Sequence, residues 1–356
     1  MAFTFGVSPG ARRWQPKTRR LARRSSRGRR TKRQTIRASQ GPQTARRTLD
    51  AAGIRRECER MVVARPPCPV CLSVSEARPE MDKTWLCGFQ GLGHLVRCVD
   101  CSLVYLRDYE SELMDLHGED YIRAKVTQCG HGGHEPGRDR EELFTRRLAW
   151  AGAQVRGRRV LDIGCGNGAF LLTGKALGWT PSGLDNSEVP REVLAPHGID
   201  VSVGDSVDFL RERPEAFDLI HMNHSLEHIP RAADTVLAAR KALAPGGLLY
   251  VEVPNEFDNL VYRSMAALGR KRRNGSFLGR SKPSAVPSPH LYFFNKRSLA
   301  TLARRASFAS FEVHATRREP FDFTPAEAAC SIAALLGSGI LLTLTAKVAS
   351  APPSLQ

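Results

Sequence analysis

"VLDIGCGNGAF", residues 160–170, is the stretch on which the fold of this 356-residue chain turns. Val160, Leu161 and Ile163 supply the branched, apolar bulk of a buried strand. The run then stops at Gly164, Gly166 and Gly168, three glycines spaced two apart. Glycine tolerates positive φ and lets other groups approach the backbone closely, so the stretch reads as strand, tight turn and helix start, a bend shaped to hold something.

Two classes of ligand use such a bend. Dinucleotides rest a pyrophosphate on the helix N-terminus, whereas S-adenosylmethionine has no phosphate and carries a cationic sulfonium. The segment from Gly164 to Ala169 fits the loose dinucleotide pattern as well, so the glycines leave both open. Asp162, two residues before the first glycine, would repel a pyrophosphate and attract an ammonium or sulfonium at short range, which favours S-adenosylmethionine. Asp185, in "PSGLDNS", ends what reads as the next strand, placed to hydrogen-bond ribose hydroxyls in either ligand.

With these residues in view, the run from Val160 to about Lys347 resembles the class I S-adenosylmethionine-dependent methyltransferases. "VSVGDSVDFL" resembles the family's third-strand segment, "FDLIHMNHSLEHIP" its fourth strand and following helix, and "LAPGGLLYVEVPN" the turn and fifth strand after that. The resemblance implies an α/β, Rossmann-like domain with a seven-stranded sheet. It also implies a cofactor set of Asp162, Gly164, Gly166, Gly168, Asp185, Asp205, Ser206 and Asn223, with Asp205 and Ser206 reading the adenine. Taken singly, Asp185 or Asp205 reads equally well as a polar loop end capping the next helix.

Charge is concentrated at one end. The formal net charge is +17, yet residues 1–50 hold fifteen Lys and Arg against one acid, Asp50. Segment 1–60 therefore reads as a basic, disordered tail that would bind nucleic acid or an anionic surface, or go unused, since a start at Met61 would leave every motif intact. Nine cysteines, an odd number, with no recognisable signal peptide point to a reducing cytoplasm. The apolar stretch 328–346 is divided by Gly337-Ser338-Gly339 into a short helix and "ILLTLTAK", a late sheet strand, so no transmembrane segment is expected.

Upstream, "CPVC" and "CVDC" place Cys68, Cys71, Cys98 and Cys101 as two C-x-x-C knuckles with 26 residues between the inner pair. Two knuckles supply the four thiolates of a closed structural Zn²⁺ site. The segment also resembles the zinc ribbon that precedes the methyltransferase domain in many bacterial enzymes of this type, though Ser102 stands where the second knuckle usually has glycine. The expected organisation is a ribbon over 61–110, a linker and helical cover over 111–157, and a methyltransferase domain over 158–348 with an acceptor lid at 256–295. Cys129, His131 and His134 in the linker read as exposed loop residues.

Methyl transfer is an in-line displacement, and a hydroxyl acceptor must also lose its proton. "NHSLEHIP" offers His224, Glu227 and His228 just after the fourth strand, the two histidines sharing a helix face if the helix has begun by His224. The segment resembles that of quinone O-methyltransferases, some of which bind a divalent metal there, but His224 occupies a position where that pattern has a carboxylate. His290, in "SPHLYFFN", resembles a segment near the substrate mouth of related enzymes and is a second candidate base. Glu227, His228 and His290 are thus the catalytic candidates. The preferred reading is an enzyme methylating a small molecule or saccharide; the alternatives are an RNA methyltransferase gripping RNA with ribbon and tail, or a non-catalytic S-adenosylmethionine-binding module. The oligomeric state is not legible.

Overall fold

Branched apolar residues set the strands and amphipathic spacing sets the helices that cover them. A computed structural model of the chain describes residues 66–75, 78–79, 94–107, 123, 138–259, 290–316, 339 and 341–350. The basic tail, the linker residues Cys129, His131 and His134, residues 260–289 of the expected lid and the expected short helix before Gly339 lie outside the described residues.

The ribbon contributes three short strands, β1 (Arg78–Pro79), β2 (His94–Arg97) and β3 (Val104–Arg107). Helix α1 (Arg138–Gln154) follows and buries Phe144, Leu148 and Ala151, spaced four and three apart on one face. The main sheet is then laid down as β4 (Arg159–Ile163), β5 (Thr180–Asp185), β6 (Asp200–Val203), β7 (Phe217–Asn223) and β8 (Leu243–Pro254). Between them run α2 (Ala169–Ala176), α3 (Val189–Leu194), α4 (Ser206–Arg211) and α5 (Ala232–Ala242). After β8 come β9 (Tyr292–Phe293), α6 (Lys296–Arg305), β10 (Ser310–Thr316) and β11 (Leu341–Lys347).

The seven-stranded sheet has the order β10-β11-β8-β7-β4-β5-β6. Strands β4 to β8 pair in parallel, while β11 is inserted antiparallel to both neighbours, β8 and β10. The order reverses between β4 and β7, and at that switch the carboxyl ends of adjacent strands open a crevice. β11 is the late strand expected from "ILLTLTAK".

Ribbon and sheet share one core. Cys68, Val70, Cys98, Leu103 and Tyr105 belong to the same buried cluster as Val251, Val253, Leu291, Leu299 and Leu342. The reason is β9, which pairs antiparallel with β3 through Val104↔Phe293 and Tyr105↔Tyr292 and so completes a ribbon sheet of order β1-β2-β3-β9. Residues assigned from sequence to a lid over the acceptor are here the fourth strand of the ribbon. Immediately afterwards α6 starts at a capping box, the Asn295 side chain accepting from Ser298 N while the Ser298 hydroxyl accepts from Asn295 N. In its last turn Arg305 donates to the carbonyls of Pro69 and Val70, tying α6 to the first knuckle.

Candidate functional site

The glycine turn connects β4 to α2, with φ of 76° at Gly164, 51° at Gly166 and 71° at Gly168. Packing enforces glycine at two of these. A Cβ on Gly164 would fall 2.5 Å from that of Ser225, and one on Gly168 would fall 2.2 Å from the Leu194 side chain. At the end of β5 the Asp185 carboxylate accepts from Gly166 N at 3.1 Å and Ser187 N at 3.2 Å, bridging the turn and the next loop. Burial pushes its pKa up, against the pull of the N–H groups of Gly166 and Ser187. Its carboxylate and the turn's backbone lie at the switch point of the sheet, and their donors and acceptors suit a nucleoside with vicinal hydroxyls.

Other members of the expected cofactor set are engaged elsewhere. Asp162 is buried, and its carboxylate accepts from His221 Nδ1 at 2.7 Å. The reason is placement: Asp162 lies inside β4, next to β7, with Asp162 and His221 as register partners. Asn223, at the end of β7, accepts from Arg147 at 2.9 Å through its Oδ1. Asp205 is the N-cap of α4, accepting from Val207 N and Asp208 N, and it also pairs with Arg231 at 3.1 Å. The Ser206 hydroxyl is buried and bonded to Thr235 at 2.7 Å, which leaves only its backbone for a ligand.

Arg147 is the residue that sequence reasoning missed. It rises from α1 with a 5% exposed side chain and meets Glu252 at 2.9 Å, His221 Nε2 at 2.9 Å and Asn223. Its guanidinium also lies 4.4 Å from the Tyr250 ring centroid. The only signal in the sequence is an arginine at Arg147 on the apolar face formed by Phe144, Leu148 and Ala151, a position that demands a buried anion.

The base candidates Glu227 and His228 follow directly on β7. The chain is not helical at His224, whose φ is +52°; a single 3₁₀ turn spans Leu226–His228 and α5 starts only at Ala232. His224 and His228 therefore do not share a helix face. Glu227 is 1% exposed, and neither carboxylate oxygen has a hydrogen-bond partner among the described residues. Imidazoles surround it instead, with His224 Nδ1 at 3.6 Å and His228 Nε2 at 3.9 Å. Burial pushes its pKa up, but His224, His228 and His290 together outweigh that and hold it at about 2. His290 arrives from the far side: Leu291 N donates to Glu227 O at 2.9 Å, and the His228 and His290 rings meet edge-on with centroids 4.7 Å apart. Side-chain atoms of Glu227, His228 and His290 lie within 4.8 Å of one another. The structure thus brings together all three candidates from segments more than sixty residues apart.

The four knuckle cysteines also converge, with Cys68 and Cys101 sulfurs 3.6 Å apart and Cys71 and Cys98 sulfurs 3.6 Å apart. Tetrahedral Zn–S bonds of about 2.3 Å require sulfurs about 3.8 Å apart, so the set fits the ion. The knuckles match each other: Cys68 N donates to Ser73 O, and Cys98 N to Leu103 O, each at 2.9 Å. Leu72 and Ser102 take φ of 60° and 61° in the two turns, so Ser102 adopts the conformation in which glycine was expected, with no change in the turn.

The parallel strands with a reversed β11 define a Rossmann-like α/β domain of the methyltransferase fold. Residues 137–313 match a family whose model is described as a methyltransferase domain. The segment is 29% identical over 143 residues to the ubiquinone biosynthesis O-methyltransferase of Thiobacillus denitrificans, covering 37% of this chain and 62% of that protein. It is 32% identical over 123 residues to the enzyme of the same name from Paracidovorax citrulli, covering 32% and 52%. The chain thus spans roughly half the length of these curated relatives. Among solved structures, a SAM-dependent methyltransferase from Archaeoglobus fulgidus aligns with a TM-score of 0.39 at 17% identity, covering 58% of this chain and 94% of that one. Among the described residues no helix is long and apolar enough to cross a membrane.

Proposed function

We propose that this chain transfers the methyl group of S-adenosylmethionine to an oxygen on a small molecule or saccharide, and that a structural zinc ion stabilises its ribbon. The observation that carries the reading is the Asp185 carboxylate drawn onto Gly166 N at the switch point of a sheet whose β11 is the reversed strand. The names of the relatives, O-methyltransferases with small-molecule roles, support the choice of acceptor atom.

When bound, S-adenosylmethionine supplies an electrophilic methyl group on its sulfonium. Asp185 would take the ribose hydroxyls, the Gly164 to Gly168 turn would let the methionine portion approach the backbone, and Asp205 with the backbone of Ser206 would meet the adenine. The acceptor oxygen must lose its proton as it attacks the methyl carbon, while the carbon–sulfur electron pair leaves with sulfur. His228 and His290 supply ring nitrogens for that proton, and the buried Glu227 carboxylate stabilises the imidazolium that results. Cys68, Cys71, Cys98 and Cys101 would hold the zinc away from this chemistry.

The test has two arms. S-adenosylmethionine and S-adenosylhomocysteine should raise the melting temperature by mass action and NAD should not. Incubation with methyl-labelled S-adenosylmethionine and fractionated cell extract should place label in a small-molecule fraction. Label confined to RNA would favour the nucleic-acid alternative, and tight cofactor binding with no labelled fraction would favour the non-catalytic one.

A further inference from the structure

Glu256 lies just beyond β8, at the start of the segment read from sequence as an acceptor lid, and its carboxylate stands 3.1 Å from His290 Nδ1. Both side chains are mostly buried, at 13% and 16% exposure. The His290 backbone is fixed independently: β9 locks onto β3, Leu106 N donates to Leu291 O, and Leu291 N donates to Glu227 O. Ring rotation is limited by His228 on one side and by Phe293, whose centroid is 5.9 Å from that of His290. Phe293 is in turn packed edge-on against Phe257, the residue after Glu256. Backbone and ring are therefore both held, and the remaining freedom of His290 is which nitrogen carries the proton.

A carboxylate can only accept from the ring, so contact through Nδ1 places a proton there, and in the neutral ring Nε2 then carries the basic lone pair. We propose that Glu256 is a positioning residue that holds His290 in the Nδ1–H tautomer, making Nε2 the atom that accepts the acceptor's proton. This rests on the methyltransferase reading above. As the acceptor oxygen bonds to the methyl carbon, its proton moves to Nε2, the Nδ1–H bond to Glu256 persists, and the new positive charge lies between Glu256 and the Glu227 carboxylate. The arrangement is the base-and-orienter logic of a catalytic triad, transferred to a methyl acceptor.

Ring ¹⁵N spectroscopy of the full chain with labelled histidine, with S-adenosylhomocysteine bound, tests this without knowing the acceptor. His290→Gln assigns the signal. The groups facing the ring are Glu256 from the segment after β8 and Glu227 and His228 from the 3₁₀ turn, with His224 beyond Glu227. In the wild type at pH 8 the His290 ring should be the neutral Nδ1–H tautomer. In Glu256→Gln its titration midpoint should fall by about one pH unit, because a nearby carboxylate favours the imidazolium, and Glu256→Asp should restore part of the shift. An Nε2–H tautomer in the wild type, which is read without any variant, overturns the proposal; so does an unchanged midpoint in a folded Glu256→Gln. Absence of an S-adenosylhomocysteine melting shift in the wild type would instead remove the methyltransferase reading and leave the tautomer result standing alone.

Discussion

The Asp162 carboxylate and His221 Nδ1 are 2.7 Å apart in the interior between β4 and β7, and the same imidazole meets Arg147 through Nε2 at 2.9 Å. Its ring also stacks on Phe170 with centroids 3.7 Å apart. A carboxylate, an imidazole, a guanidinium and a second carboxylate, Glu252, thus form one buried chain beneath the glycine turn. The carboxylate nearest the glycines in sequence is thus tied to the neighbouring strand β7 through His221.

This chain makes stability depend on pH. Burial lowers the pKa of His221, against the pull of Asp162 and despite its hydrogen bond to that residue. Unfolded, the ring takes a proton near its ordinary value of about 6.5, while the folded ring stays neutral to lower pH. Below about 6.5 the unfolded state therefore binds more protons, and stability falls as pH drops from there toward the folded value. Urea midpoints at pH 8, 6.5 and 5.5 should decline across the last interval, and a folded His221→Gln should flatten the decline. Equal midpoints in the wild type at all three pH values would contradict this.

Asp185 should show a conflict between stability and binding. Its buried carboxylate has a raised pKa, so at neutral pH its ionisation costs the ligand-free chain something. Asp185→Asn should leave the ligand-free melting temperature unchanged or higher, while reducing the shift produced by S-adenosylhomocysteine by at least half. A lower melting temperature with a full ligand response would show that Asp185 serves the fold and not the ligand.

Removing Arg147 takes the guanidinium from the mostly buried Glu252 and leaves only the His224 imidazole, 3.8 Å away, near that carboxylate, so Arg147→Ala should cost about 3 kcal/mol in chemical denaturation. Arg147→Met combined with Glu252→Leu should recover part of that loss, because it removes both charges and fills the volume. Additive losses in the double variant would show that the pair is not coupled.

Purified protein should contain about one zinc per chain, and Cys98→Ser should lose it. Because β9 pairs with β3, the cysteine knuckles share one core with the main sheet and Arg305 grips the first knuckle, a chelator should lower the melting temperature of the whole chain in one transition. An early ribbon transition followed by an unshifted main one would show that the shared core carries no coupling.

Much of the frame could be read from the chain because local chemistry determined it. The glycine turn, the knuckles and the late β11 each follow from a few neighbouring residues whose spacing admits one structure. The site was read less well wherever its partners came from distant segments. The bond between Asp162 and His221 was not legible because the sequence does not show that β7 sets His221 beside Asp162. Asp205 and Ser206 turned to capping and to Thr235, local demands that compete with a ligand for the same atoms. Arg147 and Glu256 escaped notice because each matters only through side chains more than thirty residues away.

Two residues of β9 carry a consequence for inheritance. A ribbon exchanged between related genes as a cassette ending near residue 107 would arrive without its fourth strand, which is encoded nearly two hundred residues downstream and already fitted to another partner. Tyr105 and Tyr292, register partners across that seam, must therefore change in step, as must Val104 and Phe293. Recombination that parts the knuckles from the main sheet should therefore be rare compared with exchange of the segments that lead into or out of both.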